Sequence, residues 1–239
     1  MGEKIYLYCI VDCKNGTVKA GVNNTNLINI VYDDVMVVGE MLPKDRLEVN
    51  LENLKKHEQI VEMYMQDNIL PIRFNTFVDN IETAKRYIKE NYSNIIANLN
   101  NVSNKTEMGL KVFWDLEKVK RDIKLENNKI DDAGISEGKK YIYKMMERYL
   151  IEKELKNEAN KIASFFRENL KECICNFKEK LLFTETMPLN AAYLIEKDNI
   201  GVYRSIIENL KKEREDLYII STGPWPPYNF VDISLGGEI

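Results

Sequence analysis

A single histidine, His57, stands in 239 residues, and imidazole is the one side chain whose ordinary pKa suits proton transfer near neutrality. Leu54, His57, Val61 and Tyr64 recur at i, i+3, i+7 and i+10, one face of a helix that opens at Asn50. An imidazole there serves as a general base or borders a core; with no second catalytic group in view, the core border is the reading adopted. The phosphate-cradling patterns G-x-G-x-x-G and the P-loop are absent. The acidic pairs Asp33-Asp34 and Asp131-Asp132 lie beside turns or loops and read as turn formers rather than metal ligands. Cys173 and Cys175 fall in a stretch that reads as helical. There two residues turn about 200°, so the two thiols would point apart. With Cys9 and Cys13 flanking a strand end, the four cysteines read as reduced thiols, with no metal site or cofactor expected. The remaining conspicuous chemistry is physical: ISTGPWPPYNFV sets Pro224, Pro226 and Pro227 around Trp225, a stiff aromatic segment.

The elements that would position these residues follow from periodicity. KIYLYCIV (4–11) reads as a buried strand and GTVKAGVNN as a turn-rich link. DVMVVGEM (34–41) reads as a second strand, followed by the His57 helix and a short strand in ILPIRF (69–74). A second helix carries Ile81, Ala84, Ile88, Ile95 and Leu99, and a domain boundary is expected near residue 104. In TEMGLKVFWD, Met108, Leu110, Val112 and Trp114 alternate as on a strand. A short helix (Leu116, Val119, Ile123) and a polar loop with two glycines come next. Residues 137–182 read as one long helix with the apolar seam Leu155, Ala159, Ile162, Phe166, Leu170, Cys173 and Phe177. Two strands meeting at Pro188, a helix over 199–213 and a final strand, DLYIIST, complete the chain.

The class is α+β in two domains. Residues 1–104 form an N-terminal α+β domain. Residues 105–239 form a modified ferredoxin-like βαββαβ domain with a long first helix, first and third strands central, closed by the proline strap. A charge of −4 from 34 basic and 38 acidic residues argues against nucleic acid, as does a third strand, NAAYLIEK, that lacks the K/R-G-F/Y-G/A-F-V motif of RNA-binding strands. The short apolar run after Lys4 reads as a strand and not a leader, and no run reaches the roughly 20 residues of a membrane span. A cytoplasmic, non-membrane protein that works by binding other proteins is expected.

Several stretches together resemble the gas vesicle synthesis proteins of the F and L type: YLYCIV, HEQIVEMYMQDNILPIRFNTFVDN, EMGLKVFWD, GKKYIYKM, NAAYLI and TGPWPPYNFV. The matching motif positions are His57, Pro71, Gly109, Gly138, Tyr141, Asn190, Gly223, Pro224, Pro226 and Pro227. Asn75, Met108 and Lys139 depart from the family's glycine, tryptophan and arginine. The resemblance implies a cytoplasmic prokaryotic protein, associated with gas vesicles as a minor component or assembly factor. It implies contact with the small hydrophobic shell subunit and other accessory proteins, with no enzymatic activity and no cofactor. An exposed apolar shell subunit would aggregate, so transient holding is the expected mechanism and permanent incorporation in the wall the alternative. Enzyme and RNA-binding readings are remote. Trp225, Tyr228 and Arg73 are the candidate partner-binding residues. The competing readings are packing for the strap and an inter-domain carboxylate anchor for Arg73.

Overall fold

A computed structural model describes residues 3–13, 26–126 and 137–233. It is a mixed α/β structure with two antiparallel sheets and, among the described residues, five α-helices. Contacts divide the chain into two units. One is Met1–Glu107 with Pro224–Ile239, the other Met108–Gly223. By its contacts the proline strap belongs to the first unit, whereas the sequence reading attached it to the second.

The first unit is built on β1 (Lys4–Asp12), whose seven interior residues are all buried. β2 (Leu27–Tyr32) and β3 (Val35–Leu42) form a hairpin beside it, and β4 (Ile69–Pro71) and β5 (Phe77–Val78) pair with it on the other side, giving the order β2-β3-β1-β4. β2 was not anticipated, because its run lies next to Asp33-Asp34, which form the hairpin turn; Asp33 has φ 51°. The link 16–24 lies outside the described residues. Register slips by one residue between Leu7 and Cys9, so Tyr6, Tyr8, Cys9 and Val11 all join one core cluster with Ile60, Val61 and Tyr64 of α1 (Leu51–Met63). Close approach of β3 to β1 requires Gly39: a Cβ there would lie 2.7 Å from the Tyr6 carbonyl oxygen. Asn50 caps α1, accepting from Asn53 N at 2.9 Å, and Asn80 caps α2 (Ile81–Val102), accepting from Thr83 N at 2.8 Å. Each cap satisfies an amide that a helix start leaves without an internal partner. Ala84, Ile88, Ile95 and Leu99 are buried as the stripe predicts, while Ile81 and, on α1, Leu54 are exposed.

In the second unit β6 (Lys105–Trp114) buries Met108, Leu110, Val112 and Trp114, the alternation seen in the sequence. α3 (Leu116–Glu126) follows; the loop with Asp131-Asp132 lies outside the described residues. α4 (Glu137–Leu170) is 34 residues long, about 50 Å at 1.5 Å per residue. It ends twelve residues before the expected 182, and Ile174–Thr184 is instead β7, paired antiparallel with β8 (Met187–Glu196). CNFKEKLL suits a helix locally, but pairing along the apolar β8 satisfies its backbone and outweighs a propensity difference of under about 1 kcal/mol per residue. Cys173 is therefore buried beside the helix end and Cys175 exposed on a strand, not on two sides of a helix. Phe177, expected in the seam, is 41% exposed. The hairpin turns at Glu185-Thr186, with Pro188 already inside β8. α5 (Ile200–Glu213) and β9 (Leu217–Trp225) complete the order β7-β8-β6-β9, with β6 and β8 central. β9 runs beyond Thr222 through Gly223 and Pro224 to Trp225. Gly223 adopts φ 106° there, a value closed to most side chains. The core joins Met108, Leu110 and Val112 to Leu155, Ala159, Ile162, Phe166 and Leu170 of α4, and to Tyr203, Ile207 and Leu210 of α5.

Candidate functional site

An apolar groove of about 370 Å³ opens in the first unit. Leu54, His57 and Glu58 reach it from α1, Arg73 and Phe74 from the segment after β4, and Trp225, Pro226 and Tyr228 from the strap. Arg73, Trp225 and Tyr228, far apart in sequence, thus line one concavity. Arg73 is exposed, and among the described residues no carboxylate pairs with its guanidinium.

The groove's polar element is satisfied. His57 Nε2 lies 3.1 Å from the Ile72 carbonyl oxygen, which only accepts, so Nε2 carries the proton. Nδ1 then accepts from the Tyr6 hydroxyl at 2.7 Å. Tyr228 Oη is 3.2 Å from Nε2 on the groove side. Burial lowers the His57 pKa to about 4, only partly offset by the Ile72 hydrogen bond. The imidazole is neutral at pH 7, with both nitrogens engaged. Burial likewise raises the Tyr6 and Tyr228 pKa values above the ordinary phenol range. Next to this network the Tyr8 hydroxyl donates to Glu40 Oε2 at 2.7 Å, and Lys56 Nζ donates to the same oxygen at 2.8 Å.

Three anchors fix the strap wall. Thr106 Oγ1 donates to the Trp225 carbonyl at 3.0 Å. Glu107, buried, accepts from Asn229 N at 2.9 Å and from Asn229 Nδ2 at 2.6 Å. Farther on, Asn94 and Asn98 of α2 bond the backbone of Asp232. Pro226 and Pro227 are buried, while Trp225 is half-buried and Tyr228 37% exposed, so the strap both packs and presents a surface.

Asn75 holds the arginine segment. Its φ is 68°, yet its side chain also accepts from Leu47 N at 2.8 Å and donates to Leu47 O at 3.0 Å. Asn75→Gly would relieve the backbone by less than about 1 kcal/mol and remove two hydrogen bonds of about 1 kcal/mol each. A net loss of about 1 kcal/mol is expected in urea unfolding, opposite to the gain a glycine normally brings at positive φ.

The sequence model of the family described as gas vesicle synthesis protein GvpL/GvpF matches residues 4–232. The chain belongs to the GvpL/GvpF family. Gas vesicle protein F of Nostoc sp. strain PCC 7120 is 26% identical over 253 residues, covering 98% of this chain and all of the relative. Gas vesicle protein F1 of Halobacterium salinarum is 39% identical over 71 residues; that match spans 30% of this chain and only 33% of the relative. The crystal structure of GvpF from Anabaena sp. PCC7120 superposes with a TM-score of 0.83 at 22% identity, covering 98% of each chain. That of GvpF from Microcystis aeruginosa gives 0.77 at 20% identity, covering 96% of this chain and 99% of the other. These relatives are named as gas vesicle proteins.

Of the motif positions that the sequence reading singled out, His57 forms part of the groove, and Pro71, buried in β4, pairs with Cys9 of β1. Gly109, Gly138, Tyr141 and Asn190 lie in the second unit and are not part of it. A Cβ on Gly109 would meet Thr222 Oγ1 at 2.5 Å, whereas one on Gly138 would meet nothing. Sequence reading passed over Phe74, Glu58 and Glu107. Glu107 did carry a signal: a carboxylate beginning an alternating strand between residues that both become buried. Sequence reading also took the G-x-S-x-G pattern to be absent, yet Gly134-Ile135-Ser136-Glu137-Gly138 spells it. That pattern acts where a strand turns into a helix. Residues 127–136 lie outside the described set, and the described element before them is the helix α3. Among the described residues no group of three His, Cys, Asp or Glu side chains is placed to hold a metal, and no helix is long and apolar enough to cross a membrane.

Proposed function

We propose that this chain is a gas vesicle assembly factor that works in the cytoplasm. It binds the small hydrophobic shell subunit transiently and assists shell nucleation and growth, alongside other accessory proteins. One observation carries the reading: Arg73, Trp225 and Tyr228 meet on an apolar groove whose histidine floor is neutral and satisfied. Such a groove accepts a large apolar side chain, and rigid aromatic walls bind it with little loss of conformational freedom. Arg73 adds a cation for a neighbouring carboxylate on the partner. Strand order β7-β8-β6-β9, with the first and third strands of the second unit central, supports a modified ferredoxin-like domain whose first helix is long.

Binding of purified shell subunit to Trp225→Ala and Arg73→Glu variants tests the site. Each should weaken binding at least about tenfold, or 1.4 kcal/mol, while the melting temperature holds. A fall in melting temperature with unchanged binding would assign Trp225 to packing alone. No binding by the unaltered chain, with shell-subunit solubility unchanged on co-expression, would remove the holding mechanism. Constant retention in washed vesicles would favour permanent incorporation.

A further inference from the structure

The N-terminal half of α4 carries an apolar band that the described residues of its own unit leave exposed. Tyr141, Met145 and Tyr149 form one row at i, i+4 and i+8; Ile142, Met146 and Leu150 form the next. Their exposures run from 41% at Leu150 to 66% at Tyr141 and Tyr149. The same helix, from Leu155 to Leu170, is seated in the core through Ala159, Ile162 and Phe166, so the band stands on a rigidly held support. Single exposed apolar residues need no explanation, but six in two adjacent rows mark a contact surface.

Charge within the band's own span is mostly basic. Residues 139–148 contain Lys139, Lys140, Lys144 and Arg148 against one acid, Glu147, in a chain whose net charge is −4. From Tyr141 to Leu150 the band is about 14 Å long, some two and a half helical turns. Two helices pack by fitting such i, i+4 ridges into each other's grooves. Methionine adapts to irregular partners, and tyrosine offers an apolar body with a polar tip.

We propose that this band is a docking site for an amphipathic α-helix of another protein, apolar on one face and flanked there by acidic residues. It shares no residue with the groove of the first unit.

Two fluorescein-labelled synthetic helices test this with the full-length chain: a leucine-striped peptide flanked by glutamates, and its counterpart with lysines in their place. Fluorescence anisotropy should show the acidic peptide binding at least about tenfold more tightly, with affinity falling as salt rises. A Met145→Glu, Tyr149→Glu double variant should lose binding by about tenfold or more with unchanged circular dichroism, because both side chains are exposed. Lys139→Glu with Arg148→Glu should abolish the preference for the acidic peptide. Trp225→Ala should leave it intact, so failure of the groove reading is distinguishable from failure here. Equal binding of both peptides, or no effect of the double variant, overturns the proposal. So does a concentration-dependent dimer of the unaltered chain that the double variant abolishes, which would make a second copy the occupant. Band-dependent sedimentation with phosphatidylserine vesicles would overturn it in favour of a lipid surface.

Discussion

Lowering the pH from 7 to 4 is expected to reduce the unfolding free energy by about 3 kcal/mol through His57 alone. In the folded chain burial holds the imidazole pKa near 4, against 6.5 in the ordinary case. Below pH 6.5 the unfolded chain binds a proton that the folded chain refuses, so stability falls with pH at up to about 1.4 kcal/mol per unit. The fall levels off once the folded imidazole also protonates, below pH 4. Protonation has a structural consequence as well: Nδ1 can no longer accept from Tyr6, and the charge would sit among Tyr6, Tyr8 and Phe74. The control is His57→Gln, which lacks the titrating group. Urea unfolding across pH 7 to 4 should give a wild-type curve that drops more steeply, the difference between the two growing by about 3 kcal/mol. Parallel curves would mean that His57 is already accessible to protons. Because other carboxylates titrate in both proteins, only the difference counts.

Glu107→Ala is expected to cost a similar amount, about 3 kcal/mol, and to release the strap. Hydrogen bonds to a charged group contribute about 1.5–3 kcal/mol each in a buried setting, and Glu107 receives two from Asn229. Asn229 is exposed, so water recovers part of the loss, which keeps the estimate at the lower end of that sum. Hydrogen exchange should show faster exchange at Asn229 and Phe230, where the short 3-10 turn Tyr228–Phe230 loses its tether. Glu107→Gln keeps one acceptor oxygen and should lose about half as much. If the alanine variant unfolds with the wild-type midpoint and unchanged exchange at Asn229, Glu107 is not what tethers the strap, and Thr106, Asn94, Asn98 and the strap's own packing hold it. Shell-subunit binding by the variant then reports how far the groove depends on the strap's position.

Much of the fold was legible because it rests on local periodicity. The seam Leu155 to Leu170, the alternation Met108 to Trp114 and the doubly buried Ala191 to Ile195 each state in sequence which side faces a core. The end of α4 was not legible. CNFKEKLL has the composition of a helix, and only pairing with a distant strand, β8, makes it β7. The hairpin of β2 and β3 was hidden for a related reason, since its turn is two aspartates rather than an Asn-Gly signal.

The sequence by itself determined the family, through short motifs kept in order along the chain, and determined that Pro224 to Pro227 form a stiff segment, because proline fixes φ wherever it stands. It also singled out Arg73, Trp225 and Tyr228, though not as neighbours. Their meeting on one groove, the neutral state of His57 and the tether from Glu107 were decided by tertiary structure alone. Each depends on groups between 15 and 171 positions apart in sequence, and no local pattern encodes a distance that only the folded chain closes.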